Sequence, residues 1–190
     1  MPRTKTYLTA SEYVVLGLLR QRPTYGYELK QQLTGGKGLA RVCPVEAAMV
    51  YAILKSLSGL ELIDGEWDHS VYPPRAVYAA TAEGDAEFQR WLRRPVGRMR
   101  EVRLDFLVKL YFALGEDPEL ASELVKDQIE SCRAYGDEIA SELTQVEPGS
   151  FDAIALTSKA SAARITQEWL MQCRKDIGDR KATEGNHCEG

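Results

Sequence analysis

Two consecutive prolines, Pro73 and Pro74, lie between two short β-like runs, "LELIDGEW" (60–67) and "RAVYAAT" (75–81). A proline has a fixed φ and no backbone donor, so the stretch is stiff and cannot form a central strand. The two runs therefore predict a hairpin whose loop, residues 68–74, is longer than a tight turn. Arg75 follows the prolines directly and is held at the end of this rigid arm.

Two helical segments begin the chain. In "TASEYVVLGLLRQ" (9–21), Thr9 and Glu12 have the spacing of a capping box, which predicts a helix start at Thr9. Pro23 ends this helix because it cannot continue the hydrogen-bond ladder. "TYGYELKQQLTGG" (24–36) predicts a second helix with Thr24 as a possible N-cap and a glycine pair at its end.

A third helix is predicted within "CPVEAAMVYAILKSLSGLELI" (43–63). Its apolar residues recur at i, i+3, i+4 and i+7, the spacing of a buried stripe: Val50, Ile53, Leu54 and Leu57. At about 100° per residue, the opposite face carries small residues with one tyrosine and one lysine: Ala48, Tyr51, Ala52 and Lys55.

The rest of the sequence is helical. Helices are predicted after Thr81, over 101–115, from an Asp117 N-cap to about Leu143, and from about Phe151 to Ile177. The fold class is thus mainly α, with an N-terminal winged helix-turn-helix of three helices and a two-stranded wing, followed by an α-helical C-terminal domain. The apolar stripes of the C-terminal helices are more than two helices alone can bury, so we expect this to be a dimerisation domain. The predicted boundaries are 1–95 for the winged helix-turn-helix domain, 96–177 for the helical dimerisation domain and 178–190 for a disordered tail.

Charge is distributed unevenly along the chain. The net charge is −4, yet residues 1–60 hold 8 basic and 3 acidic side chains, whereas residues 99–190 hold 11 basic and 18 acidic ones. Such asymmetry suggests a nucleic-acid surface in the first part. No run reaches the roughly 18–20 apolar residues of a membrane span, and no signal peptide is evident. We therefore expect a cytoplasmic protein with no membrane partner, associated with the nucleoid when bound to DNA.

The residue types of enzyme sites are not arranged for catalysis. No Ser/His/Asp order, GxGxxG loop or metal-ligand cluster is present, and the two histidines fall in the wing and the tail. Cys43, Cys132, Cys173 and Cys188 show no CxxC spacing, so free thiols are expected. We predict no enzyme activity, no metal and no cofactor.

Six motifs carry a family resemblance: "LGLL" (16–19), "YGYELKQQL" (25–33), "VYAILKSLSGLELI" (50–63), "PPRAVYAATAEG" (73–84), "FQRWL" (88–92) and "DFLVKLYFA" (105–113). In this order they resemble the PadR-type winged-helix transcriptional regulators, in the branch with a long C-terminal helical domain, over about residues 8–175. The resemblance implies a homodimeric, DNA-binding repressor whose first helix and C-terminal helices form the dimer interface. It also implies a palindromic double-stranded operator and, in some members, release by a small aromatic or phenolic effector.

On the winged-helix plan, the third helix lies in the DNA major groove and the wing lies beside it. The candidate DNA-binding residues are Tyr25, Tyr27, Lys30, Ala47, Ala48, Met49, Tyr51, Lys55 and Arg75. Tyr51 and Lys55 would contact phosphates, and Arg75 a phosphate or a narrow minor groove. Tyr27 could equally belong to the core, and Arg75 could instead pair with Glu66 or Asp68.

The start of the third helix, "EAAM" (46–49), departs from the small polar residues usual in the family. Ala47, Ala48 and Met49 cannot make bidentate hydrogen bonds to bases, which leaves thymine methyl contacts and DNA shape as means of recognition. This helix motivates an alternative function, a winged-helix ligand-binding or protein-interaction adaptor that has lost specific DNA binding.

Four aromatic residues are candidates for an effector pocket: Trp91, Phe88, Tyr111 and Trp169. Apolar pockets favour domain junctions, where these residues are predicted to lie. Packing in the core or in the dimer interface is the alternative role of each.

Overall fold

The structure, a computed structural model, describes the backbone of residues 8–185 and the side chains of residues 8–178. The chain divides into two compact units between Arg93 and Arg94. The predicted fold class is confirmed: the structure is mainly helical, with a small antiparallel sheet in its first unit.

Within its described residues, 8–93, the first unit contains five helices and three strands, here numbered along the chain: α1 (Ala10–Gln21), β1 (Thr24–Tyr25), α2 (Gly26–Thr34), α3 (Leu39–Val42), α4 (Ala47–Gly59), β2 (Ile63–Asp68), β3 (Arg75–Ala80) and α5 (Ala82–Leu92). The strands are antiparallel in the order β1-β3-β2. The register pairs Asp68 with Arg75 and Ile63 with Ala80.

Local signals explain where these helices begin. The Thr9 side chain and the Glu12 side chain cap each other's backbone at the start of α1, which confirms the predicted capping box. The Thr81 hydroxyl accepts a hydrogen bond from the Gly84 amide at the start of α5. Along α4 the predicted apolar stripe is buried, as the helical period requires.

Two details of the first unit differ from the sequence prediction. Thr24 does not cap α2: it lies in β1, which adds a third strand to the predicted two-stranded wing by pairing with β3. The N-cap of α2 is Tyr25. A short helix, α3, also separates α2 from α4. Both elements are too short to leave a periodic pattern in the sequence.

The second unit begins with a 3₁₀ turn (Met99–Glu101) and a π-helical turn (Val102–Phe106), which lead into α6 (Leu107–Glu116), α7 (Pro118–Leu143) and α8 (Phe151–Gly185). Asp117 caps α7 with Pro118 in its first turn, as predicted. Helices α7 and α8 pack along each other as a hairpin. Because α8 continues to Gly185, the predicted disordered tail is helical over 178–185, and residues 186–190 lie outside the described residues.

Two buried polar side chains hold the chain at the start of the second unit. The Gln128 amide on α7 accepts from the Val96 amide at 2.6 Å and donates to the Val96 carbonyl at 3.0 Å. The Lys109 ammonium on α6 donates to the Arg94 carbonyl. Burial lowers the pKa of Lys109 to about 8. These bonds fix residues 94–96 against α6 and α7.

None of the helices that the structure describes is long and apolar enough to cross a membrane.

Candidate nucleic-acid interface

Helix α4 presents the exposed face predicted for a recognition helix. Tyr51 is 53 % exposed, Ala48, Met49 and Lys55 are exposed as well, and Ala47 is half-buried. The buried stripe on the other side of the helix fixes this orientation. The face therefore offers small and apolar groups at its start, with one phenol and one ammonium further along.

An aromatic and basic cluster joins the start of α2 to the wing. The rings of Tyr25 and Tyr27 stack with centroids 5.5 Å apart, and the Arg75 guanidinium lies 4.9 Å from the centroid of the Tyr27 ring. A cation over an aromatic face is attracted by the ring quadrupole. The wing arginine is thus positioned by a side chain of α2.

Asp68 anchors this cluster at the end of β2. Its carboxylate accepts a hydrogen bond from the Tyr25 hydroxyl at 2.6 Å and from the Ser70 amide at 2.8 Å. Hydrogen bonds from Ser70, and then from Tyr25, hold the pKa of Asp68 below its ordinary value. The hydrogen bond to Asp68 in turn raises the pKa of Tyr25. Hydrogen bonds that favour the charged carboxylate are the physical cause of the lowered value.

In the structure Arg75 does not form the ion pair with Glu66 or Asp68 that was considered as its alternative role. Among residues 8–178, no carboxylate lies within ion-pair distance of its guanidinium, although Asp68 is its partner in the strand register. Asp68 bonds to Tyr25 and Ser70 instead. Arg75 is exposed and keeps its positive charge available to a ligand.

Tyr51 connects the exposed face of α4 to the start of α2. A Cβ atom built on Gly26 would lie 3.1 Å from Cε1 of Tyr51, so the ring packs against the glycine backbone. Lys30, one of the predicted residues, is exposed on α2. Tyr27 is also exposed, so it is not the core residue that was considered as the alternative. Ring contacts therefore link Tyr25, Tyr27 and Arg75, and the Tyr51 ring of α4 packs on the backbone of Gly26, the residue between the two tyrosines.

The interface also carries one carboxylate that no sequence pattern singled out. Glu28, in the first turn of α2, accepts from the Tyr27 hydroxyl at 3.2 Å and from Arg22 at 3.4 Å. Sequence analysis named Asp68 only as a possible partner of Arg75, and it missed both the bond of Asp68 to Tyr25 and the role of Gly26, since these depend on contacts across many residues of sequence. The one local signal was the Asp-x-Ser spacing of 68–70, which favours a side-chain bond to a nearby amide.

Such a surface can bind a polyanion. Cations and hydroxyls bind phosphate oxygens, and these contacts position a protein on DNA. Recognition of the bases needs hydrogen-bonding or apolar groups that fit the base edges. The first turn of α4 provides methyl and thioether groups only.

Known proteins similar to this chain identify its family. Residues 15–90 match the model of the transcriptional regulator PadR-like family. A solved PadR-like transcription factor from Bacteroides fragilis is 31% identical, and the match covers 42% of this chain and 74% of that chain, with a TM-score of 0.36. This chain belongs to the PadR-like family of transcriptional regulators.

A PadR protein of known role is also similar over most of its length. The negative transcriptional regulator PadR of Bacillus subtilis is 25% identical over 170 residues, which are 84% of this chain and 92% of that protein. Its solved complex with operator DNA covers 89% of this chain and 99% of the solved chain at 22% identity, with a TM-score of 0.43. The match to its solved complex with p-coumaric acid covers 90% of this chain and 99% of the solved chain at 22% identity, with a TM-score of 0.41.

The four aromatic residues that we predicted for a PadR effector pocket fall into two groups. In the first unit, Phe88 is fully buried and lies 5.4 Å from Trp91, which stacks on Tyr13 at 4.1 Å. In the second unit, Tyr111 packs edge-on to Phe112, and Trp169 packs edge-on to Phe106 at 5.8 Å. Each group has packing partners within its own unit, and a ligand role for these residues stays a prediction.

No group of three potential metal ligands occurs in the part of this PadR-family chain that the structure describes. Cys43 and Cys132 are buried free thiols, and Cys173 is half-buried. Burial raises the pKa of Cys132 and of Cys173. Cys188 lies outside the described residues.

Proposed function

We propose that this chain is a sequence-specific DNA-binding regulator that acts as a homodimeric repressor and is released by a small-molecule effector. The observation that carries the proposal is the linked surface of Tyr25, Tyr27, Tyr51 and Arg75 beside the exposed face of α4. We place the protein in the cytoplasm, on the nucleoid when it is bound to DNA.

In this proposal α4 enters the major groove and the wing follows the adjacent backbone. Tyr51 and Lys55 contact phosphates from α4, Tyr27 and Lys30 from α2, and Arg75 from the wing. Ala47, Ala48 and Met49 face the bases and contact thymine methyl groups. Much of the selectivity then comes from the shape and deformability of the operator.

The dimer is proposed to form through the C-terminal helices. Phe151 is 81 % exposed and Ile154 is 62 % exposed on the first turns of α8. Large apolar side chains on one face favour contact with another protein surface, and a second copy is the simplest partner. A two-fold dimer would place its α4 helices about 34–36 Å apart, which matches a palindromic operator.

The sequence relative from B. subtilis supports the direction of regulation. That protein is a negative regulator, and it has been solved with operator DNA and with p-coumaric acid, which are the kinds of partner that we propose here. An aromatic or phenolic effector would bind this chain by contact with aromatic residues; Trp91, Phe88, Tyr111 and Trp169 are the candidates.

Selection of bound sequences from a random duplex pool tests the proposal. The full-length protein should enrich a palindrome with half-sites one helical turn apart, and a Tyr51→Ala, Lys55→Ala variant should recover far less DNA from the same pool. A pool that stays random would contradict sequence-specific binding. The adaptor function, favoured by the apolar first turn of α4, would then be the better explanation.

A further inference from the structure

A cavity of about 940 Å³ lies wholly within the second unit. Three parts of the chain form its walls. The first is the segment 97–103, which passes through the 3₁₀ turn into the π-helical turn; the others are one residue of α7 and one face of α8 between Ser158 and Thr166. Pockets of several hundred Å³ are the size that holds a drug-sized molecule. None of the four aromatic candidates for an effector site lines it.

Four positively charged side chains line the cavity: Arg98, Arg100, Arg103 and Lys159. Their concentration is unusual for this part of the chain, because residues 94–190 hold 18 acidic side chains against 13 basic ones. All four side chains are exposed, and an anion that contacts several of them at once would reduce the repulsion between them.

Internal carboxylates neutralise only part of this charge. Arg98 and Arg100 share Glu101, whose Oε1 lies 3.3 Å and 3.7 Å from their respective nitrogens. Arg103 and Lys159 form no ion pair with any residue whose side chain is described. Four cations against the single carboxylate of Glu101 leave three positive charges in excess, of which a ligand with two negative charges would neutralise two.

The remaining walls are apolar and hydroxyl-bearing. Met99 and Ile165 supply aliphatic surface, and Ile165 is 52 % exposed despite its size. Tyr135 supplies an aromatic ring, while Ser158 and Ser161 supply hydroxyls at the cavity wall. A ligand that fits these walls has an apolar body joined to its anionic group.

We propose that this cavity binds an organic phosphate ester with an aromatic or aliphatic body. Guanidinium groups bind phosphate oxygens through paired, charge-assisted hydrogen bonds, and a phosphate monoester carries close to two negative charges at neutral pH. The apolar wall then takes the body of the ligand. This site is independent of the proposed DNA contacts, because it is formed by residues of the second unit alone.

A second cavity in the same unit provides a matched control. It measures about 440 Å³, and its lining includes Arg174 on α8 together with Lys126, Arg133 and Glu130. Arg174→Gln removes one positive charge from α8, as Lys159→Gln does, but outside the proposed site. A difference between these two variants reports on the site rather than on the total charge of the protein.

The experiment is isothermal titration calorimetry of the full-length protein without DNA, at pH 7.5 and constant ionic strength. The probes are phenyl phosphate, inorganic phosphate, phenol and benzoate. Phenyl phosphate should bind at least about tenfold more tightly than each of the other three, because only it combines a dianion with a ring. Lys159→Gln and Arg103→Gln should each weaken its binding about tenfold, Arg103→Lys should weaken it less, and Arg174→Gln should leave it within about twofold.

Several results would overturn the proposal. Equal binding of inorganic phosphate would indicate a general attraction of anions, and equal binding of benzoate would indicate a carboxylate site. If Arg174→Gln weakened the binding of phenyl phosphate as much as Lys159→Gln does, the ligand could not be assigned to this cavity. A change in oligomeric state of Arg103→Gln by light scattering, with unchanged binding of phenyl phosphate, would make the cavity a contact between subunits. Thermal unfolding of each variant checks that the fold is intact, and no result depends on whether the protein binds DNA.

Discussion

At the scale of single residues, the wing is held by one carboxylate and one ring. Asp68 fixes the Tyr25 hydroxyl and the turn at Ser70, and the Tyr27 ring lies under the Arg75 guanidinium. An arginine that is already oriented loses less freedom when it meets a phosphate than one on an unrestrained loop. The two prolines before Arg75 act in the same direction, because they restrict the unbound loop.

Arg75→Ala should weaken DNA binding to a similar extent on all sequences. One phosphate contact is lost, so the slope of log K against log salt concentration should decrease by about 1. The measurement is fluorescence anisotropy over a salt series. Arg90→Ala is the control, since it also removes one positive charge but lies on α5, where Arg90 pairs with Glu87. Equal slopes for wild type and Arg75→Ala would place Arg75 outside the DNA interface.

Close packing between elements depends on another single residue, Gly84. A Cβ atom at this position would lie 2.0 Å from the Leu62 carbonyl oxygen and 3.2 Å from Cδ1 of Leu16. The first contact is with backbone, which cannot rotate away as a side-chain end can. The start of α5 can therefore approach the chain before β2 only because residue 84 has no side chain.

Gly84→Ala should lower the free energy of unfolding of the first unit by about 3 kcal/mol, the upper range for overpacking of a core. Urea denaturation followed by circular dichroism measures the change. Gly59→Ala is the matched control, because a Cβ at residue 59 meets nothing within 4 Å. If the two variants were equally stable, α5 would not pack closely against Leu62.

At the scale of elements, the second unit contains a buried ammonium that makes stability depend on pH. Burial is the main cause that lowers the pKa of Lys109 from 10.5 to about 8; the charge of Arg94 acts in the same direction, and the charge of Asp105 opposes it. Between about pH 8 and pH 10.5 the unfolded chain binds the proton more strongly than the folded chain. Stability therefore increases with pH across this window and is lost as pH falls back through it.

Lys109→Met should remove this increase. The variant also loses the hydrogen bond to the Arg94 carbonyl, which changes stability at every pH but leaves the slope unaffected. Urea denaturation midpoints at several values between pH 7.5 and pH 10.5 compare the two proteins, and the titration of tyrosines cancels in the comparison. Parallel pH profiles for wild type and variant would contradict a lowered pKa for Lys109.

Elements with local signals could be predicted from the sequence, and elements defined by distant contacts could not. The capping box of α1 and the Asp117-Pro118 start of α7 depend on residues within one turn, and both were predicted correctly. Strand β1 exists because it pairs with β3, about fifty residues further along the chain, so Thr24 was interpreted wrongly as a helix cap. The π-helical turn at 102–106 was likewise not predicted, because five residues are too few to show a period of their own.

The same distinction holds for the candidate interface. The exposure of Tyr51 and Lys55 follows from the helical period of α4. The bond between Tyr25 and Asp68 joins residues that are 43 positions apart, so no local pattern indicated it. The cation cluster of the second unit also combines residues from separate segments of chain.

At the scale of the whole molecule, we propose that the first unit contacts DNA and that the second unit forms the dimer interface. A chain that ends after Arg93, the last residue of the first unit, should be monomeric and should bind an operator half-site only weakly. Size-exclusion chromatography with light scattering measures the mass. A chain that ends after Ile177 serves as control and should remain a dimer. A dimer of the 1–93 fragment would place the interface in the first unit.

Sequence-specific recognition is tested most directly by fluorescence anisotropy of the full-length protein with a labelled duplex from upstream of its own gene, against a scrambled duplex, at two salt concentrations. We expect tight binding to the native duplex, weaker binding to the scrambled one, and a loss of affinity for both as salt increases. Weak binding that is equal for the two duplexes would contradict sequence-specific recognition through α4 and the wing.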